Sequence, residues 1–400
     1  MKSLSLKVGR LEGSQTLAFT MKAEEMRRRG IDVVSLTVGE PDFPTPPHVK
    51  MAAVRAIDEN FTKYTPNAGI PELLQAIVKK FREENNLVFD PSQILVSCGG
   101  KHSCYNALQA ICNPGDEVVI PAPYWVTYPE IVKLVDAKPI VVATTLESNF
   151  KLSPLQLRKA INAKTKAFIF NSPCNPTGSV YSQGEIEELA DVIKETGIYV
   201  ISDEIYEKIV YDGVRHFSIG SVKEIRDQVI TVNGVSKGYS MTGWRIGYLG
   251  APEPVARAAA KIQGQVTSNA SSISQKAATA ALAGPQTEVG TMLEQFKRRR
   301  EFVYGKLSRI QGLSLCEPKG AFYLFPSVEK FTGKRVDGEL LRNDEDICHF
   351  LLEKEHVAAV PGSAFGARNF LRISYACSMR DLEKGVARLA SGFRKLREGY

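Results

Sequence analysis

The chain has 400 residues, enough for two or three domains with an ample core, and its 44% hydrophobic and 24% charged content excludes disordered and fibrous classes. Its 51 basic and 44 acidic residues are interspersed, so the net charge of +7 slightly favours small anionic ligands and argues against a nucleic-acid surface. The seven cysteines show no C-x-x-C spacing, which suggests neither a disulfide framework nor a zinc site; they read as reduced thiols, and no metal is expected. The start, Met1-Lys-Ser-Leu-Ser-Leu-Lys7, lacks the apolar core of a signal peptide, and no apolar run approaches a membrane span. A cytoplasmic protein is expected, although a removed transit peptide would leave a similar start.

In chain order, Ser14 can cap a helix over residues 15–29, with Gly30 just past its end. The run from Val33 to Val38 reads as a strand, and four prolines among residues 39–47 then make a fixed loop. Helices follow over about 47–60 and 71–85. Short apolar strands are predicted at 94–96, 118–120, 140–142, 167–170, 199–202, 229–232 and 246–249, mostly separated by helical or loop segments such as 102–112, 154–162 and 183–195. That alternation predicts a mainly parallel α/β sheet with helices on both faces, and ligands in such sheets bind beyond the carboxyl ends of the strands. After Gly250 the pattern turns helical, with an Ala-rich segment over 255–283 and a long helix over about 291–310. The basic run Lys297-Arg-Arg-Arg300 within it reads as a solvated helix face. A smaller unit follows, with strands near 321–325, 357–360 and 371–374 and helices over 344–355 and 380–396. Composition places a boundary near residue 290.

Four strands lead into unusual polar loops. Ser97-Cys-Gly-Gly-Lys101 runs straight into a helix, where free backbone amides make an anion site. It is not G-x-G-x-x-G and does not follow the first strand, so a dinucleotide site fits poorly. In Asn171-Ser-Pro-Cys-Asn-Pro-Thr-Gly178, prolines flank the Cys174-Asn175 pair, fixing Asn175 and allowing a cis bond. Asp203-Glu-Ile-Tyr206 places an acid at a strand end, which suits a ligand site or plain helix capping. The fourth stretch, Asn233-Gly-Val-Ser-Lys-Gly-Tyr-Ser-Met-Thr-Gly-Trp-Arg-Ile-Gly-Tyr248, carries Ser236, Lys237 and Arg245. A lysine desolvated in such a turn has a lowered pKa and a free amine for Schiff-base chemistry. Pyridoxal phosphate needs a lysine for its aldehyde, a carboxylate for its ring nitrogen, donors for its phenolic oxygen and a phosphate cup. Lys237, Asp203, Asn175 with Tyr206, and Gly99-Gly100-Lys101 with Ser236 and Arg245 supply these four items.

Asn-Pro-Thr-Gly, Ser-Asp-Glu-Ile-Tyr and Ser-Lys-x-x-x-Met-Thr-Gly-Trp-Arg-Ile-Gly-Tyr together resemble the class I aminotransferases of the aspartate aminotransferase family. Ala122-Pro-Tyr-Trp-Val-x-Tyr-Pro129 and Ala270-Ser-Ser-Ile-Ser-Gln275 are similar to its prokaryotic-type branch, which includes the aspartate/prephenate aminotransferases of plastids. The resemblance implies a fold type I PLP-dependent transferase, with a large domain over 48–290 built on a seven-stranded sheet. A small domain would join 1–47 to 291–400. Lys237 would bind pyridoxal 5′-phosphate and then move the substrate proton, Asp203 would keep the ring nitrogen protonated, and Trp125 would stack on the ring. Tyr64 would reach the phosphate of a neighbouring subunit, implying a homodimer. Arg372 would grip the α-carboxylate of the substrate with Asn175, Trp125 and the backbone of Gly39. Lys101 and Thr16 would receive a distal carboxylate, favouring L-aspartate and L-glutamate as donors, 2-oxoglutarate and oxaloacetate as acceptors, and prephenate as a further acceptor. Relatives commonly read Lys-Pro-Ser-x-Thr where this chain has Glu12-Gly-Ser-Gln-Thr16, a departure that bears on prephenate more than on transamination. An aromatic aminotransferase or a β-lyase is the nearer alternative. An effector-sensing regulator is the remoter one, and it would need a separate DNA-binding domain.

Overall fold

Apolar runs of four to seven residues can be buried on both faces only in a sheet that helices cover on each side. In the computed structural model, which describes residues 4–336 and 338–398, seven such runs form one sheet. Across it the strands are ordered Ile94–Ser97, Gly247–Gly250, Val229–Gly234, Tyr199–Asp203, Thr165–Asn171, Glu117–Ala122 and Lys138–Ala143. Only Gly247–Gly250 runs antiparallel to its neighbours. The mainly parallel seven-stranded α/β sheet expected from the sequence is therefore present. All six parallel strands release their following loops at one edge.

The two-residue period of the strands sorts their side chains between layers. Val118, Ile120, Ile169 and Ile201 pack with helices Gly100–Ile111, Thr127–Leu134 and Glu253–Val266. Their neighbours Val119, Phe168, Phe170 and Val200 pack on the other side, under helix Gln183–Thr196. Ile94 and Val96 face a third layer formed by helices Pro47–Asp58, Pro71–Asn85 and Ser272–Ala283. Helix Gly100–Ile111 starts hard against strand Gly247–Gly250, where a Cβ on Gly247 would lie 2.2 Å from the Gly100 nitrogen.

A separate cluster joins Phe19, Ala23, Met26, Val34 and Leu36 to side chains from Met292 to Leu396. Here Val34–Ser35 pairs in parallel with Val357–Ala358, and Leu371–Ser374 lies between Val360–Pro361 and Tyr323–Leu324 in a small antiparallel sheet. Helix Thr287–Leu307 runs through the expected boundary at residue 290, and its Val289 packs against both this cluster and the third layer of the large sheet. Residues 1–3, 337, 399 and 400, the ends of the expected small domain among them, lie outside the described residues.

Several expectations need correction. The strand expected over 33–38 is paired as a strand only at Val34–Ser35, with Val357–Ala358; Leu36 beyond it still donates to the Ala358 carbonyl and accepts from the Ser374 amide. The Ala-rich segment is two helices, Glu253–Val266 and Ser272–Ala283, separated by a turn in which Ser268 has φ +58° and Ser271 caps the second helix. The strand expected over 357–360 is likewise split into Val357–Ala358 and Val360–Pro361. The basic run is not a solvated face. Arg299 and Arg300 are buried, at 6% and 2% exposure, and each makes a two-pronged pair. Arg299 holds Asp42 at 2.6 and 3.0 Å, and Arg300 holds Asp212 at 2.6 and 3.0 Å. A helix of 21 residues packed at both ends buries its charges wherever a partner waits, which local pattern does not reveal.

Asp212→Ala would remove the two-pronged partner of the buried Arg300 guanidinium, leaving only the looser contacts to Glu317 and Glu301 at 3.7 and 3.9 Å. A loss of about 2 kcal/mol in denaturant unfolding is expected, whereas Arg298→Ala on the exposed side should change stability by less than about 0.5 kcal/mol.

Candidate active site

The loops that leave the parallel strands converge on one cavity of about 280 Å³. Its wall includes Lys237, Asp203, Asn175, Tyr206, Trp125 and Ser236, each carried by a different position at or just beyond a strand end. Gly100, Lys101, Arg245, Arg372, Gly39 and Thr16 lie along the same wall, whereas Gly99 and Tyr64 of the expected set do not.

Lys237 follows strand Val229–Gly234 by three residues, and its ammonium donates to the Gly39 carbonyl. Burial pulls its pKa from the ordinary 10.5 down to about 8; the Glu40 and Asp203 charges oppose this, and Arg372 and Arg245 reinforce it. A neutral amine is thus accessible near physiological pH.

Asp203 ends strand Tyr199–Asp203 and is 4% exposed. Its Oδ2 accepts from the Tyr128 hydroxyl at 2.7 Å and its Oδ1 from the Ile205 amide at 3.2 Å. Asn171 donates to its backbone carbonyl at 2.8 Å. Burial pushes the carboxyl above its usual range, while the Tyr128 hydrogen bond pulls it back. Among the described residues no cation lies within ion-pair distance of it. Behind it, facing away from the cavity, Glu204 accepts from Ser202, Ser218 and His216, and Glu207 pairs with Lys80. Glu204, Glu207 and His216 are close enough to share an ion; the carboxylates are already held by neighbouring side chains, while His216 Nδ1 is buried without a partner.

The anion cradle is built on backbone. Gly99 has φ +91° and opens helix Gly100–Ile111, whose first amides have no partner within the helix. Arg245, itself left-handed at φ +56°, lays its guanidinium across Gly99 and donates to the Thr242 and Cys98 carbonyls at 2.8 and 3.2 Å. A Cβ on Gly99 would fall 2.2 Å from Arg245 Nη2, so Gly99 sits behind the guanidinium rather than on the wall. Lys101 Nζ stands 5.1 Å from the centre of the Trp125 ring, and burial together with Arg245 pulls its pKa down. Among the described residues neither Lys101 nor Arg245 makes an ion pair with a carboxylate.

Opposite the cradle, Arg372 is 2% exposed and also meets no carboxylate among the described residues. Its Nη1 donates to Asn175 Oδ1 at 3.1 Å and its Nη2 to the Thr37 carbonyl at 2.6 Å, while its Nε is buried without a partner. The rings of Tyr323 and Phe365 lie 4.6 and 4.9 Å from the guanidinium. Tyr206 shares a hydrogen bond of 2.8 Å with the Tyr323 hydroxyl. Thr16, in the first turn of helix Gln15–Arg28, presents a buried hydroxyl with no partner to the cavity.

Two residues singled out in the sequence stand apart. Tyr64 is 91% exposed and lies outside the cavity wall. Glu12 is exposed and off the wall as well, with its amide donating to Glu130 at 2.9 Å. Sequence reasoning missed Tyr128, Asn171, Thr242 and Tyr323, all on the wall. Tyr128, Asn171 and Thr242 lie inside motifs already quoted, in helix Thr127–Leu134, at the end of strand Thr165–Asn171 and in the loop that bears Lys237. No local pattern marks Tyr323, which arrives from a distant segment. Both Ser172-Pro173 and Asn175-Pro176 are cis.

The donor set suits a group that carries a phosphate, a basic ring nitrogen and a carbonyl, next to a substrate with carboxylates. Residues 31–389 match the family model for aminotransferase class I and II. The chain is 45% identical over 96% of its length to an aspartate aminotransferase from Bacillus sp. (strain YM-2), covering 98% of that protein. It is 46% identical over 97% of its length to a bifunctional aspartate aminotransferase and glutamate/aspartate-prephenate aminotransferase from Petunia hybrida, covering 82% of it. Among solved structures, the aspartate aminotransferase from Rhizobium meliloti superposes with a TM-score of 0.96 at 42% identity, over 99% of this chain and all of the other.

In protein freed of small molecules, trinitrobenzenesulfonate should label Lys237 with a half-maximal rate near pH 8. Glu40→Gln should move that midpoint lower, because the Glu40 charge favours the ammonium form. A midpoint near that of ordinary surface lysines in both proteins would contradict the desolvated site.

Proposed function

Since this chain belongs to the class I and II aminotransferases, we propose that it moves an amino group between L-aspartate and 2-oxoglutarate with pyridoxal 5′-phosphate as cofactor. The residues present fit that cofactor. The Asp203 carboxylate is buried without a cation, the amine of Lys237 is desolvated, and Arg245, packed against the Cβ-free Gly99, forms a cradle with the first amides of helix Gly100–Ile111. Bound there, the cofactor would supply an aldehyde and an electron-withdrawing ring that stabilises negative charge at the substrate Cα.

Asp203 would hold a proton at the ring nitrogen, and Tyr206 and Asn175 would donate to the phenolic oxygen. Ser236, Arg245 and the backbone amides of Gly100 and Lys101, beyond the turn at Gly99, would receive the phosphate, and Trp125 would cover the ring. Lys237 would move the proton at the substrate Cα, a role for which an amine with a pKa of about 8 is suited. Arg372 would take the α-carboxylate in a two-pronged grip, helped by Asn175, Trp125 and the Gly39 backbone.

One observation carries the choice of substrate. The cavity has a buried guanidinium with a free Nε at one side, and a second unpaired cation, Lys101, with an orphaned hydroxyl, Thr16, on its wall. Two separated anion sites suit a dicarboxylate. Glu12 stands off the wall, which supports prephenate, also a dicarboxylate, as a further acceptor. We place the protein in the cytoplasm; no helix among the described residues is long and apolar enough to cross a membrane. We also propose a homodimer in which Tyr64 reaches the partner's phosphate site, and a small domain made of residues 1–47 and 291–400 beside a large one of 48–290. The exposure of Tyr64 and the shared cluster of Phe19 to Leu36 with Met292 to Leu396 support these two readings.

The test is the half-reaction of pyridoxamine-loaded enzyme with oxaloacetate, prephenate and phenylpyruvate, followed by cofactor absorbance. Oxaloacetate and prephenate should react and phenylpyruvate should not; a preference for phenylpyruvate would sink the dicarboxylate reading. Lys237→Ala should abolish turnover. Arg372→Ala should raise KM for every amino-acid donor, by the equivalent of about 2–5 kcal/mol. Lys101→Ala should instead penalise dicarboxylates selectively.

A further inference from the structure

We propose that Tyr128 is a positioning residue for the reaction, its hydroxyl holding the Asp203 carboxylate charged and oriented while its ring fixes the plane of Trp125. This rests on the assignment of Asp203 to the ring nitrogen of the cofactor.

Tyr128 is the second residue of helix Thr127–Leu134 and is almost wholly buried. Its hydroxyl donates to Asp203 Oδ2 at 2.7 Å, and its ring meets that of Trp125 edge-on, with centroids 5.3 Å apart and planes at 89°. One rigid side chain therefore touches two groups assigned to the cofactor, from a helix that neither of them belongs to. The need for such a donor comes from the surroundings of Asp203. The other carboxylate oxygen has only the Ile205 amide, at 3.2 Å. The Glu204 charge adjoins it in the chain, the buried thiols of Cys104 and Cys174 lie close by, and Lys237 is the cation whose field reaches it. Burial and Glu204 both drive the carboxyl toward its neutral form, and a neutral acid cannot pair with a protonated ring nitrogen. Of the groups opposing that drift, the Tyr128 hydroxyl is the strongest. Burial and Asp203 also push the phenol itself well above its ordinary range, so it stays a donor throughout the working pH range.

Tyr128→Phe keeps the ring against Trp125 and removes only the hydroxyl. In full-length protein carrying ¹³C-labelled aspartate, the Asp203 signal, identified by its loss in Asp203→Asn, should titrate about one to two pH units higher in Tyr128→Phe. Loaded enzyme should show the matching change in the pH dependence of cofactor absorbance. Cofactor affinity by equilibrium dialysis should fall about tenfold, with kcat reduced and KM for the amino donor little changed. Tyr128→His, which can present a ring N–H, should recover part of each effect. An Asp203 titration unmoved in Tyr128→Phe overturns the proposal. An Asp203→Asn protein that binds and colours the cofactor normally overturns instead the assignment of Asp203, and with it the role given to Tyr128.

Discussion

Charge buried without a counter-charge is the constraint on which the site depends. A guanidinium taken out of water is costly unless it is paired or fully hydrogen-bonded, yet Arg372 has two neutral acceptors, two aromatic faces and one unsatisfied Nε. Asp203 repeats the pattern with the opposite sign. These groups are held in place by one chain of contacts. Arg372 donates to the Asn175 side chain, and the Asn175 backbone N–H donates to Asn171 Oδ1; Asn171 donates to the backbone of Asp203, whose carboxylate accepts from Tyr128, and Tyr128 supports Trp125. Such a network keeps the cavity preorganised for anions instead of letting the side chains pair with one another.

The fold makes that arrangement affordable by spending stability elsewhere. Sheet and helix layers bury long apolar runs on both faces, and the two-pronged pairs Arg299–Asp42 and Arg300–Asp212 lock helix Thr287–Leu307 to segments remote in the chain. Asp42 lies three residues after Gly39, whose carbonyl accepts from Lys237. A surface-looking basic run thus fixes the loop that meets Lys237.

What could be read from residues alone followed the reach of local signals. All seven strands of the large sheet were legible as apolar runs, and the loops bearing Lys237, Asp203, Asn175 and Gly99 were legible because each follows such a run at once with polar or glycine residues. Arg372 was legible only through family resemblance, since an arginine in a short strand carries no mark of its own. Tyr323 and the Thr37 carbonyl were invisible for a related reason. Their roles exist only after segments 117 and 335 residues apart are brought together. The burial of Arg299 and Arg300 was misread on the same ground, for Asp42 and Asp212 are distant in sequence and neither pairing leaves a periodic trace.

Thr16 and Lys101 begin separate helices, Gln15–Arg28 and Gly100–Ile111, whereas Asp203 ends one central strand and Lys237 lies in the loop just beyond another. The groups proposed to choose the substrate and those proposed to do the chemistry are therefore inherited as separable parts. Drift in the first turns of two helices can retune preference among acids while the strand ends stay untouched. Selectivity on this scaffold is free to diverge faster than mechanism.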